Sequence, residues 1–239
     1  MSSEVRTVPD SATKVTHRPT ALGSMLSVVA AVATVRLVAP SSSQFTPLAA
    51  VAGAAVVFAV GSAVRDRGSS FAGWSLVLVG VVAALGAVGY SVVAPPTFAQ
   101  KIVLLPGVLG VAFVAVSFVP LRTGWERRVL AVGIGWLLAS VMMAAVMNEA
   151  TKMGMLGGMA AAILSWDAGK QAISLGEQVG REAETKMVSV VHSLASSVVA
   201  ALAVGASIWL YDLNVTGVSL AGLALLLGAA ITLAIALYN

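Results

Sequence analysis

Two pairs of residues carry types suited to chemistry in a chain that is otherwise overwhelmingly apolar. The first is Asp167 with His192, each at the edge of an apolar run. A carboxylate beside an imidazole suits proton relay, and it also suits a plain hydrogen bond that pins two helix ends; the pin is the expectation. The second pair is Arg36 with Glu149. Arg36 lies three residues before Ala39, near the end of the first apolar run, where its guanidinium can snorkel to the headgroups. Glu149 follows the fifth run on the same side and is the expected counter-ion. Ionisable groups inside a bilayer are functional candidates by default, but pairing or snorkelling is a more economical role for these two than transport.

Other site chemistry finds little support. With no cysteine, disulfides, thiolate catalysis and Cys-ligated metals are excluded, and two histidines with ten scattered acidic residues show no ligand spacing such as a helical HExxH. The serines lack a G-x-S-x-G elbow, and a nucleophile needs a positioned base. No catalytic, cofactor-binding or metal-binding residues are therefore expected, and the chain reads as a non-enzyme. Fourteen Lys and Arg give a net charge of +4, yet they are spread through short connections rather than gathered on one face, so nucleic acid is not an expected partner.

The elements that must position these residues follow from hydropathy. Of 239 residues, 59% are hydrophobic and 10% charged, against roughly a quarter charged in an ordinary soluble domain. Apolar runs occupy Ala21–Ala39, Thr46–Val64, Phe71–Val93, Ile102–Pro120, Val129–Met147, Met187–Leu210 and Gly217–Tyr238, each about the length that crosses a ~30 Å hydrocarbon core as a helix. The first follows a long polar leader and contains Arg36, so it reads as a retained span rather than a signal peptide. An eighth run, Met153–Trp166, is apolar for only fourteen residues and on length alone fits a re-entrant segment. Charge asymmetry favours a crossing: eleven of the fourteen basic residues then share one side, with Lys101 and Lys152 opposite.

The expected fold is all-α, a polytopic transmembrane helical bundle of about eight spans arranged as four antiparallel hairpins, in the cell membrane with both termini cytoplasmic. Its divisions are a polar cytoplasmic tail over 1–20, a six-helix transmembrane region over 21–166, an amphipathic cytoplasmic helix over 167–186 and a C-terminal transmembrane hairpin over 187–239. Pro106 within the fourth run is a possible helix break of the kind transporters use, although near a helix start it need not interrupt anything. A weak repeat, in which Gly53, Ala55 and Arg65 find Gly110, Ala112 and Arg122, is as easily a product of biased composition.

Trp166 to His192 is the longest polar stretch. Ala168, Ala172, Leu175, Val179 and Ala183 recur at helical intervals, opposite a polar face that includes Asp167, Lys170, Gln171, Glu177, Gln178 and Arg181. That face is the candidate docking surface for a cytoplasmic partner; packing of the helix on its own bundle is the simpler alternative. Gly169, Gly176 and Gly180 each cost a helix about 1 kcal/mol relative to Ala, which points to close contacts that offset the loss.

This stretch resembles a family of uncharacterised multi-spanning membrane proteins from halophilic archaea with the signature W-D-x-G-x-x-A-x-x-L-G-E-Q-x-G-R, here Trp166, Asp167, Gly169, Ala172, Leu175, Gly176, Glu177, Gln178, Gly180 and Arg181, followed by Ala183, Thr185 and His192. The resemblance covers residues 166–192 and implies a membrane component of an assembly that includes a chaperone-like AAA+ ATPase and a von Willebrand-like protein. It implies no catalytic residues. The expected function is a non-enzymatic scaffold or anchor subunit whose ligand is the lipid bilayer itself; a small-solute or ion permease is the alternative.

Overall fold

The computed structural model describes residues 19–66, 68–119, 124–178 and 186–212, together with Gly222 and Leu225. Arg181, nearly all of the 1–20 tail and, those two residues apart, the run Gly217–Tyr238 lie outside the described residues. The described chain is helical: α1 (Ala21–Val38), α2 (Ser42–Asp66), α3 (Ser70–Val93), α4 (Phe98–Ser117), α5 (Glu126–Val146), α6 (Lys152–Gln178) and α7 (Lys186–Asp212). Six of these, α1–α5 and α7, are long and apolar enough to cross a bilayer, so the chain is a multi-pass membrane protein.

Short polar motifs start α2, α4 and α6. At α2, Ser41 and Gln44 form an S-x-x-Q cap in which Gln44 Oε1 accepts from the Ser41 backbone N–H at 3.2 Å and from its hydroxyl at 2.8 Å. Helix α2 thus begins at Ser42 rather than at the expected Thr46, because the cap recruits Ser42–Phe45 into the first turn. Thr97 caps α4 by accepting from Gln100 N at 3.3 Å, and Thr151 caps α6 by accepting from Gly154 N at 3.1 Å. Buried Gln44 also donates to the Gln100 carbonyl at 3.2 Å, tying the starts of α2 and α4 together. Helix α5 ends on Asn148 with φ 54°, the left-handed conformation that Asn tolerates just past a helix.

The chain divides into two compact units, 1–200 and 201–239, with the boundary inside α7. In the second, the described end of α7 exposes Leu202, Trp209 and Leu210. In the first, the closest helix pairs are α2 with α3, α4 with α5 and α1 with α6. These differ from the expected succession of antiparallel hairpins, which would have paired α1 with α2, α3 with α4 and α5 with α6. Glycines decide the pairing, because they let backbones approach where packing rather than hydrophobicity drives association. A Cβ at Gly61 would stand 2.7 Å from the Val77 nitrogen, one at Gly80 2.9 Å from that of Phe58, and one at Gly133 2.8 Å from that of Val114. Gly53 meets nothing within 4 Å whereas Gly110 is pressed against Leu137, so the two members of the weak repeat sit in different surroundings.

Helix α6 departs from expectation most. The short apolar run and the amphipathic segment that follows it, as far as Gln178, are one continuous helix, with no boundary at Trp166. It lies antiparallel to α1 along that helix's whole length. A Cβ at Gly154 would stand 2.6 Å from the Leu37 carbonyl, one at Gly158 2.7 Å from the Val38 side chain, and Gly23 is as close to Ala172 at the other end. The Thr20 N–H donates to the Ala172 carbonyl at 3.0 Å. Ala168, Ala172 and Ile173 are buried, so the apolar face of the amphipathic stretch packs on its own bundle.

The core runs through α1, α4, α5 and α6, where Val35, Val38, Leu104, Val108, Leu137 and Ala162 have no exposed surface. Helix α4 passes through Pro106 without interruption. The N–H that Pro106 lacks would have bonded to the Ile102 carbonyl, and at the next residue Ser140 of α5 donates to the Val103 carbonyl at 2.7 Å.

Candidate functional site

A polar cluster joins α6 and α7 across a carboxylate. Asp167 is in the fifth turn of α6, and its Oδ2 lies 2.8 Å from His192 Nε2 and accepts a 2.6 Å hydrogen bond from Ser196 Oγ. His192 and Ser196 are four residues apart, so one face of α7 presents both donors. With the ring proton on Nε2, the imidazole is a second donor to the carboxylate. The site is half-open: the Asp167 and His192 side chains are 38% and 43% exposed. One turn on from Asp167 the Gln171 Oε1 is buried without a partner, and so is the Ser193 hydroxyl beside His192.

The expected Asp167–His192 contact is therefore present. Ser196 was missed, although its position one turn after His192 on a helical face was a readable signal. The geometry is that of a clamp. Ser196 donates to the Asp167 carboxylate rather than to the His192 ring, so the two α7 side chains converge on one acceptor.

The other candidates are dispersed. Arg36, in the last turn of α1, is exposed, and Glu149 is part-buried in the α5–α6 connection; among the described residues neither makes an ion pair, so the expected partnership is not formed. Lys170 is exposed, with Nζ 5.8 Å from the centre of the Trp166 ring. Glu177 accepts from Arg127 at 2.6 Å, fastening the end of α6 to the start of α5 with both side chains about half exposed. Gln178 closes α6. Of the six candidate docking residues, Asp167 and Glu177 are thus engaged within the chain itself. Gly169, as expected, sits where a Cβ would be 2.8 Å from Leu130.

A family of unknown function, DUF7519, matches residues 78–234, well over half the chain. The chain belongs to the DUF7519 family. The match takes in most of α3 and all of α4–α7, hence both sides of the Asp167 clamp, while α1 and α2 precede it in this DUF7519 protein. No curated protein and no solved structure matches the sequence.

Proposed function

We propose that this DUF7519 protein is a non-enzymatic anchor or scaffold subunit of a membrane assembly. In this reading it crosses the bilayer eight times with both termini cytoplasmic, and the exposed end of α6 faces a cytoplasmic partner. The observation that carries the reading is the filled centre of the bundle. Val35, Leu104, Val111 and Leu137 are fully buried. The hydroxyls of Ser27, Thr34, Ser117, Ser140 and Ser165 are each donated to a backbone carbonyl. Among the described residues no polar path runs between the helices. The position of α6 beside α1 supports a full crossing: a helix that accompanies an 18-residue span from Gly154 to Ala172 covers the same thickness. The haloarchaeal signature over 166–181 and the AAA+-linked partner it implies belong to the same proposal.

Removal of 167–186 would cut into α6 itself, so the test uses surface substitutions. Affinity purification in mild detergent from the native host is compared for wild type and a Lys170→Glu, Glu177→Lys double variant. A stoichiometric partner lost from the variant is the expected result; the same recovery in both, or none in either, counts against an α6 docking face.

A permease reading has one observation in its favour, the carboxylate of Asp167 within the part of α6 that accompanies α1. Proteoliposome flux that disappears in Asp167→Asn would establish it at the expense of the anchor.

A further inference from the structure

Helices α1 and α2 are joined by three residues yet touch little, and away from that connection they splay around a slot of ≈ 450 Å³. Met25 and Val28 of α1 form one wall, Ala55 and Ala59 of α2 the other, and Phe118, just past the end of α4, part of the floor. From Ala21 to Val29 the slot runs about 12 Å along the helix axes at 1.5 Å per residue. Exposed Met25, Val29, Val56 and Val60 stand along it, so inside a bilayer it is open to hydrocarbon rather than to water. An empty apolar slot deprives its lining of dispersion partners, and a hydrocarbon chain supplies them.

Polar groups are arranged in order at the end of the slot. Ser62 lines it, is 8% exposed and has no hydrogen-bond partner among the described residues. Ser75, Ser197 and Ser207, by contrast, each donate to the carbonyl one turn back. One turn beyond Ser62, the Arg65 guanidinium lies over the Trp74 ring at 5.2 Å from its centre, and no described carboxylate pairs with it. Gly73 of α3 packs against the Arg65 backbone, which fixes the indole beside it. Stacking occupies the face of the guanidinium and leaves its in-plane N–H groups for an anion.

We propose that this slot is a binding site for a phosphate-bearing membrane lipid, with one hydrocarbon chain between α1 and α2, an ester or ether oxygen at Ser62 and the phosphate at Arg65. An apolar wall, a hydroxyl and a cation in that order match the order of groups along such a lipid, and arginine is well suited to paired hydrogen bonds with phosphate oxygens.

The test is native mass spectrometry of the full chain released from detergent after incubation with phosphatidylglycerol or with diacylglycerol carrying the same chains. Wild type is expected to retain one phosphatidylglycerol, about tenfold above diacylglycerol. Arg65→Gln removes the preference, and Ala59→Leu, which fills the slot, lowers retention of both. Arg65 lies at a helix end, so Arg65→Gln carries the test if Ala59→Leu does not fold. Equal retention of the two lipids by wild type would overturn the proposal, as would wild-type retention in Arg65→Gln. So would a wild-type spectrum free of lipid, at monomer or at dimer mass.

Discussion

Ser27 and Ser165 exchange hydrogen bonds: each hydroxyl donates to the other residue's backbone carbonyl, at 2.7 and 2.9 Å, with both side chains fully buried. This reciprocal pair sits midway along the α1–α6 contact. Interhelical hydrogen bonds in membrane proteins average about 0.6 kcal/mol and reach about 1.7. Ser27→Ala and Ser165→Ala should each destabilise by about 1 kcal/mol in denaturant unfolding from mixed micelles. The double variant should fall short of the sum, because both substitutions dismantle one unit; full additivity would mean the hydroxyls act separately.

Backbone proximity predicts opposite outcomes for two glycines. Gly154→Ala drives a methyl group to within 2.6 Å of the Leu37 carbonyl, and overpacking of this kind costs about 1–3 kcal/mol. Gly86→Ala meets nothing within 4 Å and gains up to about 1 kcal/mol of helix propensity. The same unfolding measurement should show the two shifts with opposite signs.

Asp167→Asn weakens both hydrogen bonds from α7 by removing the acceptor charge, and such bonds contribute about 1.5–3 kcal/mol against 0.5–1.5 for neutral ones. Met187, Val191, Leu194 and Val198 are exposed, so little else among the described contacts of 186–200 compensates. Hydrogen exchange of backbone amides around His192 should accelerate about tenfold while the amides of α4 keep their rate. Uniform acceleration in both would show that the clamp supports the whole bundle.

The native chain has no cysteine, so single thiols report on threading without background. Lys152→Cys and Glu177→Cys, at opposite ends of α6, should react with a membrane-impermeant maleimide from opposite faces of sealed vesicles. Labelling of both from one face would show that α6 does not cross, and the eight-span reading would fall with it.

Hydropathy made the helices of α1–α5 and α7 legible, because a run of Val, Leu and Ala long enough to cross has one stable solution in lipid. Helix α6 was not legible as one element. Hydropathy assigns Asp167 and Gln171 to water, whereas the helix turns Asp167 toward donors on α7 and Ser165 toward α1. Pairing was equally hidden: a short connection constrains which helices are joined, but close approach depends on where glycines face a partner, as Gly61, Gly133 and Gly154 do. The Asp167–His192 contact could be anticipated since each residue is an isolated polar group at the edge of an apolar run. The Arg36–Glu149 contact was anticipated on similar grounds and is not formed, because an exposed arginine at a helix end has headgroups and its own C-terminal carbonyls as alternatives.

The partner of Ser27 is 138 residues further along the chain. At a synthesis rate of about 5–20 residues per second, the ribosome adds that interval in roughly 7 to 28 seconds. Until then the nascent first helix has been inserted with a hydroxyl whose destination does not yet exist. An insertion partner that shelters this face during translation would be needed most in that window, so slowing or halting elongation before Ser165 emerges should expose α1 to quality-control proteolysis.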